Sequence, residues 1–285
     1  MALDREIAPA KKLSPPFNRT DGAALLHAVI SAPSAALAAC PPLKGEPNAI
    51  LERVLDQHAV LARRLEELGV AVRMLAPGPT AFSCAAGDLA VVVRAGAVLM
   101  RPSDLERGPE VAAIESILRE HGIPVLGRIE PPGLLDGGDI LVTEEAVFVG
   151  VPVGAGRHER RGNRLGREQL AEILGLPVVE VAMDADVARL RSVAAVVDAN
   201  TVLLGGEAAA ASAFAGFEVI TLPLGEEYAA GVITLGPRSV LANLRFQETP
   251  VILRKAKIRV EAFDLWEMGK LGLSPATLLL ALQRG

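Results

Sequence analysis

Asp136 and Asp139 flank two glycines near the middle of the chain. An apolar run, Ile140 to Val142, follows at once, which predicts a sharp turn that leads into a buried strand. The glycines allow the backbone to pass close to another group, and the two carboxylates would face that group. The segment is therefore either a ligand-recognition loop or a tight turn capped by its Asp side chains. No histidine is clustered with these acids, so neither a metal site nor a cofactor is predicted.

The chain has two cysteines, Cys40 and Cys84, which lie 44 residues apart and match no metal-ligand spacing. Free thiols in a reducing compartment are expected. Cys84 stands four residues before Asp88. It is the candidate nucleophile if the protein is catalytic, because a thiolate can attack an electrophilic carbon. The alternative is a plain packing role, which small buried cysteines commonly have.

Apolar periodicity indicates which elements position these residues. Segment 25–30 is predicted to be a strand, 48–68 a helix and 70–75 a second strand. Residues 1–22 mix charges and prolines and are predicted to form a loose N-terminal lead-in. Residues 23–285 are predicted to form a single domain.

After residue 88 the chain repeats one pattern, in which two apolar runs form a hairpin and are followed by a helix and a strand. Hairpins begin near residues 89, 139, 192 and 232, a period of about 40 to 50 residues that is typical of repeated supersecondary units. With the N-terminal unit this makes about five ββαβ modules. One module alone would leave apolar surface exposed, so we predict a ring, an α/β propeller with fivefold pseudosymmetry. A doubly wound sheet is the alternative, but it would contain single strands in place of the hairpins.

In such a ring, the residues just before each hairpin point toward one mouth of the central axis. Asp88, Asp136 with Asp139, segment 189–191 and segment 228–231 would meet there. This convergence favours a recognition loop over a simple turn at Asp136.

Composition restricts the class of protein. A hydrophobic content of 51% supports a large core, and a net charge of −5 argues against general nucleic-acid binding. The first residues lack the apolar segment of a signal peptide, and no apolar run approaches the length of a membrane span. We therefore predict a cytoplasmic protein with a small-molecule ligand and without a membrane partner, compatible with a homo-oligomer.

Several motifs occur in a consistent order from about residue 25 onward. They are HAVISAPS at 27–34, GDLAVV at 87–92, Arg101-Pro102, LDGGDIL at 135–141, RGNRLG at 161–166 and LRSV at 190–193. Together they resemble the dimethylarginine dimethylaminohydrolase (DDAH) branch of the amidinotransferase, or pentein, superfamily. The resemblance implies the five-module propeller inferred above from the repeats.

The resemblance also implies a chemistry. In the family a cysteine thiolate assisted by a histidine attacks a guanidinium carbon, carboxylates hold the guanidinium nitrogens, and arginines hold the substrate carboxylate. Carried over to this chain, Asp88 and Asp136 would accept hydrogen bonds from a guanidinium group. Arg101 and Arg161 would hold a carboxylate.

Two catalytic positions depart from the family pattern. Arg189 stands where the family has its histidine, and Pro275 aligns with the nucleophilic cysteine. Arginine cannot accept a proton at neutral pH, and proline has no side-chain nucleophile. No cysteine follows Cys84 and no histidine follows His158, so a shifted alignment does not restore the pair.

Other residues leave alternatives open. Ser274 or Thr277 could present a hydroxyl, but hydroxyls need an adjacent base, so packing or helix capping is favoured. The basic loop 154–164, which contains His158, is either a solvated segment or a lid that attracts an anion. Arg189 either binds an oxyanion or forms a structural salt-bridge network with the aspartates of the mouth.

The sequence thus predicts a DDAH-like pentein that binds a guanidino or amino-acid-like molecule without the usual Cys–His hydrolysis. One alternative is an active amidine hydrolase with a rearranged site that uses Cys84 or an activated water. Another is a scaffold with no ligand.

Overall fold

Five three-stranded sheets form the repeated units of the chain in a computed structural model that describes residues 11–154 and 161–285. In each sheet an inner strand pairs antiparallel with a middle strand, which pairs parallel with an outer strand. The predicted five-module ββαβ propeller is therefore confirmed, and the doubly wound sheet is excluded.

The first module contains strand β1 (Leu25–Ser31), helix α1 (Leu51–Glu67) and strand β2 (Ala71–Leu75). Helix α1 turns Val54, Leu61 and Leu65 into the core, a spacing that keeps apolar side chains on one face of a helix.

The second and third modules follow the predicted hairpin, helix and strand order. The second consists of β3 (Ala90–Val93), β4 (Gly96–Leu99), α2 (Gly108–His121) and β5 (Val125–Arg128). The third consists of β6 (Ile140–Val142), β7 (Val147–Val153), α3 (Arg164–Leu174) and β8 (Val178–Asp184). Helices α2 and α3 both end at glycines in the left-handed conformation, Gly122 and Gly175, which a side chain would strain.

The last two modules have shorter helices. The fourth consists of α4 (Leu190–Val193), β9 (Ala194–Val196), β10 (Thr201–Gly205), a 3-10 helix (Ala211–Phe214) and β11 (Glu218–Leu222). The fifth consists of β12 (Ile233–Gly236), β13 (Ser239–Asn243), α5 (Thr249–Lys255) and β14 (Arg259–Phe263), and α6 (Trp266–Gly269) follows it.

The ring closes through strand β15 (Leu279–Arg284), which pairs antiparallel with β1. The inner strand of the first module thus comes from the end of the chain. Inner strands β3, β6 and β9 are buried along their whole length, as strands that line a closed interior must be.

The lead-in that the sequence predicts to be loose is packed against the ring from residue 11 onward. Leu13 and Phe17 are buried in the apolar cluster of the second module. The Phe17 amide donates to the Arg94 carbonyl, and the Arg284 amide donates to the Phe17 carbonyl. Prolines separate Leu13 from Phe17 in the sequence, and two apolar residues are too few to establish a period.

Within the two described ranges, none of the helices combines the length and the apolarity that crossing a bilayer requires.

Candidate functional site

Short turns that precede the inner strands meet at one mouth of the ring. They include the 3-10 helix Ala86–Asp88 before β3, the 3-10 helix Gly137–Asp139 before β6, helix α4 before β9 and the 3-10 helix Pro275–Leu278 before β15. These turns pack against one another. The structure therefore brings together the residues that the sequence places before successive hairpins.

Asp88 is the most deeply buried acid of the mouth, at 0% exposure, and it accepts hydrogen bonds from two arginines. Arg189 donates from Nε to Oδ1 at 2.8 Å and from Nη2 to Oδ2 at 2.6 Å. Arg107 donates from Nη1 to Oδ2 at 2.8 Å. We call Asp88, Arg107 and Arg189 the Asp88 cluster. Both carboxylate oxygens are thus occupied by guanidinium groups of the same chain.

The charges of the Asp88 cluster set its ionisation. Burial by itself raises the pKa of Asp88, but the guanidinium groups of Arg189 and Arg107 outweigh burial and hold that pKa well below its usual range. The Arg189 guanidinium also lies over the Phe82 ring, 5.5 Å from its centroid. An aromatic face at this distance adds to the attraction that holds the cation in place.

Arg161 lies between the two aspartates of the central motif. Its Nη2 donates to Asp139 Oδ2 at 3.2 Å and lies 3.5 Å from Asp136 Oδ2. Asp139 Oδ1 accepts from the Leu190 amide at 3.0 Å, and Asp136 Oδ2 accepts from the Ser103 amide at 3.2 Å. We call Arg161, Asp136 and Asp139 the Arg161 cluster.

In the Arg161 cluster the pKa of the buried acid is shifted in the opposite direction from that of Asp88. Burial raises the pKa of Asp139 to about 6; Arg161 opposes this effect and the Asp136 charge adds to it. Burial alone would lower the pKa of Arg161, but Asp136 and Asp139 raise it above its ordinary value. The Arg161 Nε is buried and has no hydrogen-bond partner in the described part of the chain.

Close contacts with neighbouring groups explain why the central motif has glycines at positions 137 and 138. A Cβ at Gly138 would collide with the Asp88 carboxylate and the aliphatic part of Arg189, and a Cβ at Gly137 would collide with the Gly87 carbonyl oxygen. The group that the backbone approaches closely is therefore the Asp88 cluster itself.

Arg101 lies outside both clusters. Its guanidinium donates from Nη1 to the Gly133 carbonyl at 3.0 Å, and it lines a groove of 310 Å³ together with Arg128 and Glu130. The role of carboxylate clamp that the resemblance implies for Arg101 stays a prediction.

Cys84 is fully buried at 0% exposure within the core of the first module. Burial raises the pKa of its thiol to about 12, although Arg189 and Arg107 both oppose the shift. A thiol with this pKa is protonated at neutral pH, and protonated thiols are poor nucleophiles.

Ser274, Pro275 and Thr277 start the last turn before β15. The Ser274 amide donates to Thr277 Oγ1 at 3.2 Å, and Thr277 Oγ1 donates to the Ser274 carbonyl at 2.8 Å. Pro275 occupies the first turn of the 3-10 helix, where its missing N–H removes no hydrogen bond. The Thr277 hydroxyl thus serves in helix capping, and the Ser274 hydroxyl donates to the Arg191 carbonyl at 3.2 Å.

A groove of 740 Å³ is lined by Tyr228 and Val187 but by no residue of either cluster, and its volume is in the range of small-molecule sites. Tyr228 belongs to the 3-10 helix Glu227–Ala230, which packs against α4 of the mouth. Most of its charged lining is acidic: Asp184, Asp186, Glu207 and Glu227, with Lys44 as the basic residue. A cationic group of a ligand would be favoured in this groove.

Sequence reasoning did not find Arg107, although it binds Asp88 and also donates from Nε to Glu110 Oε2 at 2.9 Å. The spacing of Arg107 and Glu110 is ordinary for a helix start and does not indicate a contact with Asp88.

The predicted basic loop 154–164 contributes Arg161 to the Arg161 cluster. Asn163 of the same loop caps α3 by accepting a hydrogen bond from the Gly166 amide at 2.8 Å. His158 lies outside the described residues.

Solved structures share this architecture closely. A variant of DDAH from Pseudomonas aeruginosa, complexed with citrulline, has a TM-score of 0.78 at 24% identity and covers 90% of this chain and 99% of its own. An amidinotransferase from the saxitoxin biosynthetic pathway of Microseira wollei has a TM-score of 0.78 at 12% identity and covers 95% and 98%. The fold is thus that of the pentein amidinotransferases.

Sequence relatives extend the comparison. DDAH of Pseudomonas aeruginosa is 27% identical over 193 residues, which are 66% of this chain and 73% of the relative. An uncharacterized protein of Aeropyrum pernix is 30% identical over 223 residues, which are 73% and 76% of the two chains. No family model matches the chain. The chain belongs to the DDAH and amidinotransferase group of the pentein superfamily.

Proposed function

We propose that this chain is a non-hydrolysing pentein that binds a small guanidino or amino-acid-like molecule at the mouth of the ring. The observation that carries the proposal is the pairing of Asp88 with Arg189 through two hydrogen bonds of 2.8 and 2.6 Å. Arg189 presents to Asp88 the guanidinium group that the resemblance assigns to a substrate. It does so from the position where the resemblance calls for a histidine.

Three features of the mouth argue against Cys–His hydrolysis. The guanidinium group of Arg189 cannot act as a general base. Pro275 supplies no nucleophile, and the nearest thiol, Cys84, is buried with a pKa of about 12. A guanidinium carbon therefore meets neither a thiolate nor a histidine base in this arrangement.

The acidic groove beside Tyr228 supports ligand binding. Its volume of 740 Å³ accommodates an arginine-sized molecule, and Glu207 and Glu227 line it. Carboxylates there can accept hydrogen bonds from amino or guanidino nitrogens without displacing Arg189 from Asp88. A ligand that entered the Asp88 cluster would instead have to break a buried ion pair, which is costly.

The test combines a binding measurement with a product assay. Purified protein is titrated with arginine, methylated arginines and agmatine, and the melting temperature and the ureido product are measured. We expect a ligand-dependent rise in melting temperature without product. In Glu207→Gln the rise should shrink, whereas in Glu172→Gln, on the exposed side of α3, it should persist.

Two outcomes contradict the proposal. Turnover to a ureido product would establish hydrolysis, and its loss in Cys84→Ala would assign that hydrolysis to the thiol. A melting temperature that no arginine analogue and no organic anion changes would favour a scaffold without a ligand.

The second candidate, an active amidine hydrolase with a rearranged site, draws on Asp139 rather than Cys84. A carboxyl with a pKa of about 6 can exchange a proton near neutral pH and could activate a water. This candidate requires turnover that survives Cys84→Ala and disappears in Asp139→Asn.

A further inference from the structure

A second cavity lies inside the ring, between the inner strands. Its volume is 20 Å³, and Leu141 of β6, Ala195 of β9, Ile233 of β12 and Leu279 of β15 line it. A cavity of this size holds one particle about as large as a water molecule. Four of the five inner strands thus surround one small site on the interior of the propeller.

Three charged side chains also line this cavity: Asp21, Arg191 and Arg284. Arg191 donates from Nη2 to Asp21 Oδ2 at 2.8 Å and from Nε to the Ile140 carbonyl at 2.7 Å. The Arg191 guanidinium is thus held in the interior of the ring.

Arg284 is buried at 4% exposure and is not fully satisfied. Its Nη1 donates to the carbonyls of Ala23 and Thr234, both at 2.8 Å. Its Nε has no hydrogen-bond partner in the described ranges. Asp21 Oδ1 lies 3.8 Å from that nitrogen, too far for a hydrogen bond.

The charges around the cavity do not balance, because two guanidinium groups face one carboxylate. Asp21 also accepts from the Val142 amide at 2.9 Å and from Asn18 Nδ2 at 3.2 Å, so its charge is shared among several donors. Burial lowers the pKa of Arg284 to about 10; Asp21 opposes this shift and the Arg191 charge adds to it. A buried cation without a full counter-charge is unfavourable.

We propose that this cavity binds one small monovalent anion, of the size and charge of chloride, which accepts a hydrogen bond from Arg284 Nε. A water molecule would satisfy the same N–H but would leave the surplus positive charge in place. The anion cancels that charge and fills the space between the inner strands. Its binding stabilises the closed ring, because Arg284 belongs to the strand that closes it.

The first experiment measures the melting temperature in chloride and in gluconate at constant ionic strength. Gluconate is too large for a cavity of 20 Å³. We expect the melting temperature to rise with the logarithm of chloride concentration as chloride replaces gluconate at constant ionic strength, and to be lowest in gluconate alone. Equal melting temperatures in both salts at every concentration would overturn the proposal.

The second experiment assigns the effect to the cavity. Arg284→Met removes the donor and the charge, and should abolish the chloride dependence. Arg119→Met, at a side chain that is 77% exposed, is the matched control and should retain it. A chloride dependence that persists in Arg284→Met would place the anion elsewhere and overturn the proposal.

If Arg284→Met does not fold, crystals of the unmodified protein grown in bromide decide the question. An anomalous peak within hydrogen-bond distance of Arg284 Nε is expected. Density for a water without anomalous signal would overturn the proposal. None of these three experiments uses an arginine analogue, so failure here leaves the proposed function untouched.

Discussion

The two ion-pair clusters of the mouth have opposite charge balances. In the Asp88 cluster one carboxylate accepts hydrogen bonds from two arginines, whereas in the Arg161 cluster one arginine lies between two carboxylates. The arginines lower the pKa of Asp88 against the effect of burial, whereas burial raises the pKa of Asp139 to about 6. Similar burial thus yields opposite protonation behaviour, because the number of neighbouring cations differs.

Because their charge balances differ, the Asp88 cluster and the Arg161 cluster have different roles. The Asp88 cluster is saturated by its own chain and links the second module to the fourth, since Asp88 and Arg107 lie in the second module and Arg189 directly precedes α4 of the fourth. The Arg161 cluster retains an acid that titrates near neutral pH and an unpartnered guanidinium N–H. Sensitivity to pH and to solutes is therefore expected in the Arg161 cluster and not in the Asp88 cluster.

The largest expected effect follows from Asp88→Asn. The substitution keeps the shape of the side chain but leaves two buried guanidinium groups without their shared counter-charge. We expect the free energy of unfolding to fall by about 3–5 kcal/mol. Urea unfolding of both proteins at pH 7 measures the change, and a loss smaller than that caused by Asp139→Asn would contradict the distinction between the clusters.

Arg189→Ala is expected to have an intermediate effect, because Asp88 keeps its hydrogen bond to Arg107. We expect a loss of about 1–3 kcal/mol, the usual result of leaving one buried partner unsatisfied. The vacated space has the shape and charge of a guanidinium site. Methylguanidinium at millimolar concentration should therefore raise the melting temperature of Arg189→Ala more than that of the unmodified protein, in which Arg189 already fills this space; an equal response of the two proteins would refute this interpretation.

Asp139→Asn is expected to act through pH. A folded-state pKa of about 6 lies above that of an unfolded Asp, which is about 3.9. The folded state therefore binds more protons than the unfolded state in this interval, and the Asp139 contribution to stability decreases as the pH rises from about 4 to about 6. Asp139→Asn removes this contribution, so its melting temperature relative to the unmodified protein should rise across that interval. Asp56→Asn, at an exposed position of α1, should show no such trend, and an equal trend in both variants would argue against a titrating Asp139.

The smallest expected effect is that of Arg101→Ala. Arg101 belongs to neither cluster, and its guanidinium donates to the Gly133 carbonyl at 3.0 Å. Loss of one partly exposed hydrogen bond should lower the free energy of unfolding by at most about 1 kcal/mol. A loss as large as that of Asp88→Asn would mean that Arg101 supports the mouth in a way its contacts do not show.

The modules could be predicted from the sequence because hairpin, helix and strand signals are local and recur at a regular interval. Asp88, Asp136 and Arg189 could be placed at one mouth for the same reason, since each precedes a hairpin. Strand β15 could not be foreseen as the inner strand of the first module, because its partner β1 lies at the other end of the chain. The ion pairs of Arg107 with Asp88 and of Asp21 with Arg191 could not be predicted for a similar reason. Such ion pairs join distant segments and leave no periodic trace.

The most direct measurement is a crystal structure of Arg189→Ala grown with arginine. If Arg189 occupies a guanidinium site, the guanidinium group of the added arginine should bind the Asp88 carboxylate in place of the missing side chain, and it should remain uncleaved. An Asp88 carboxylate contacted only by Arg107 and water at saturating arginine would contradict the interpretation that Arg189 occupies a guanidinium-binding site. A ureido product at that position would contradict the loss of hydrolysis.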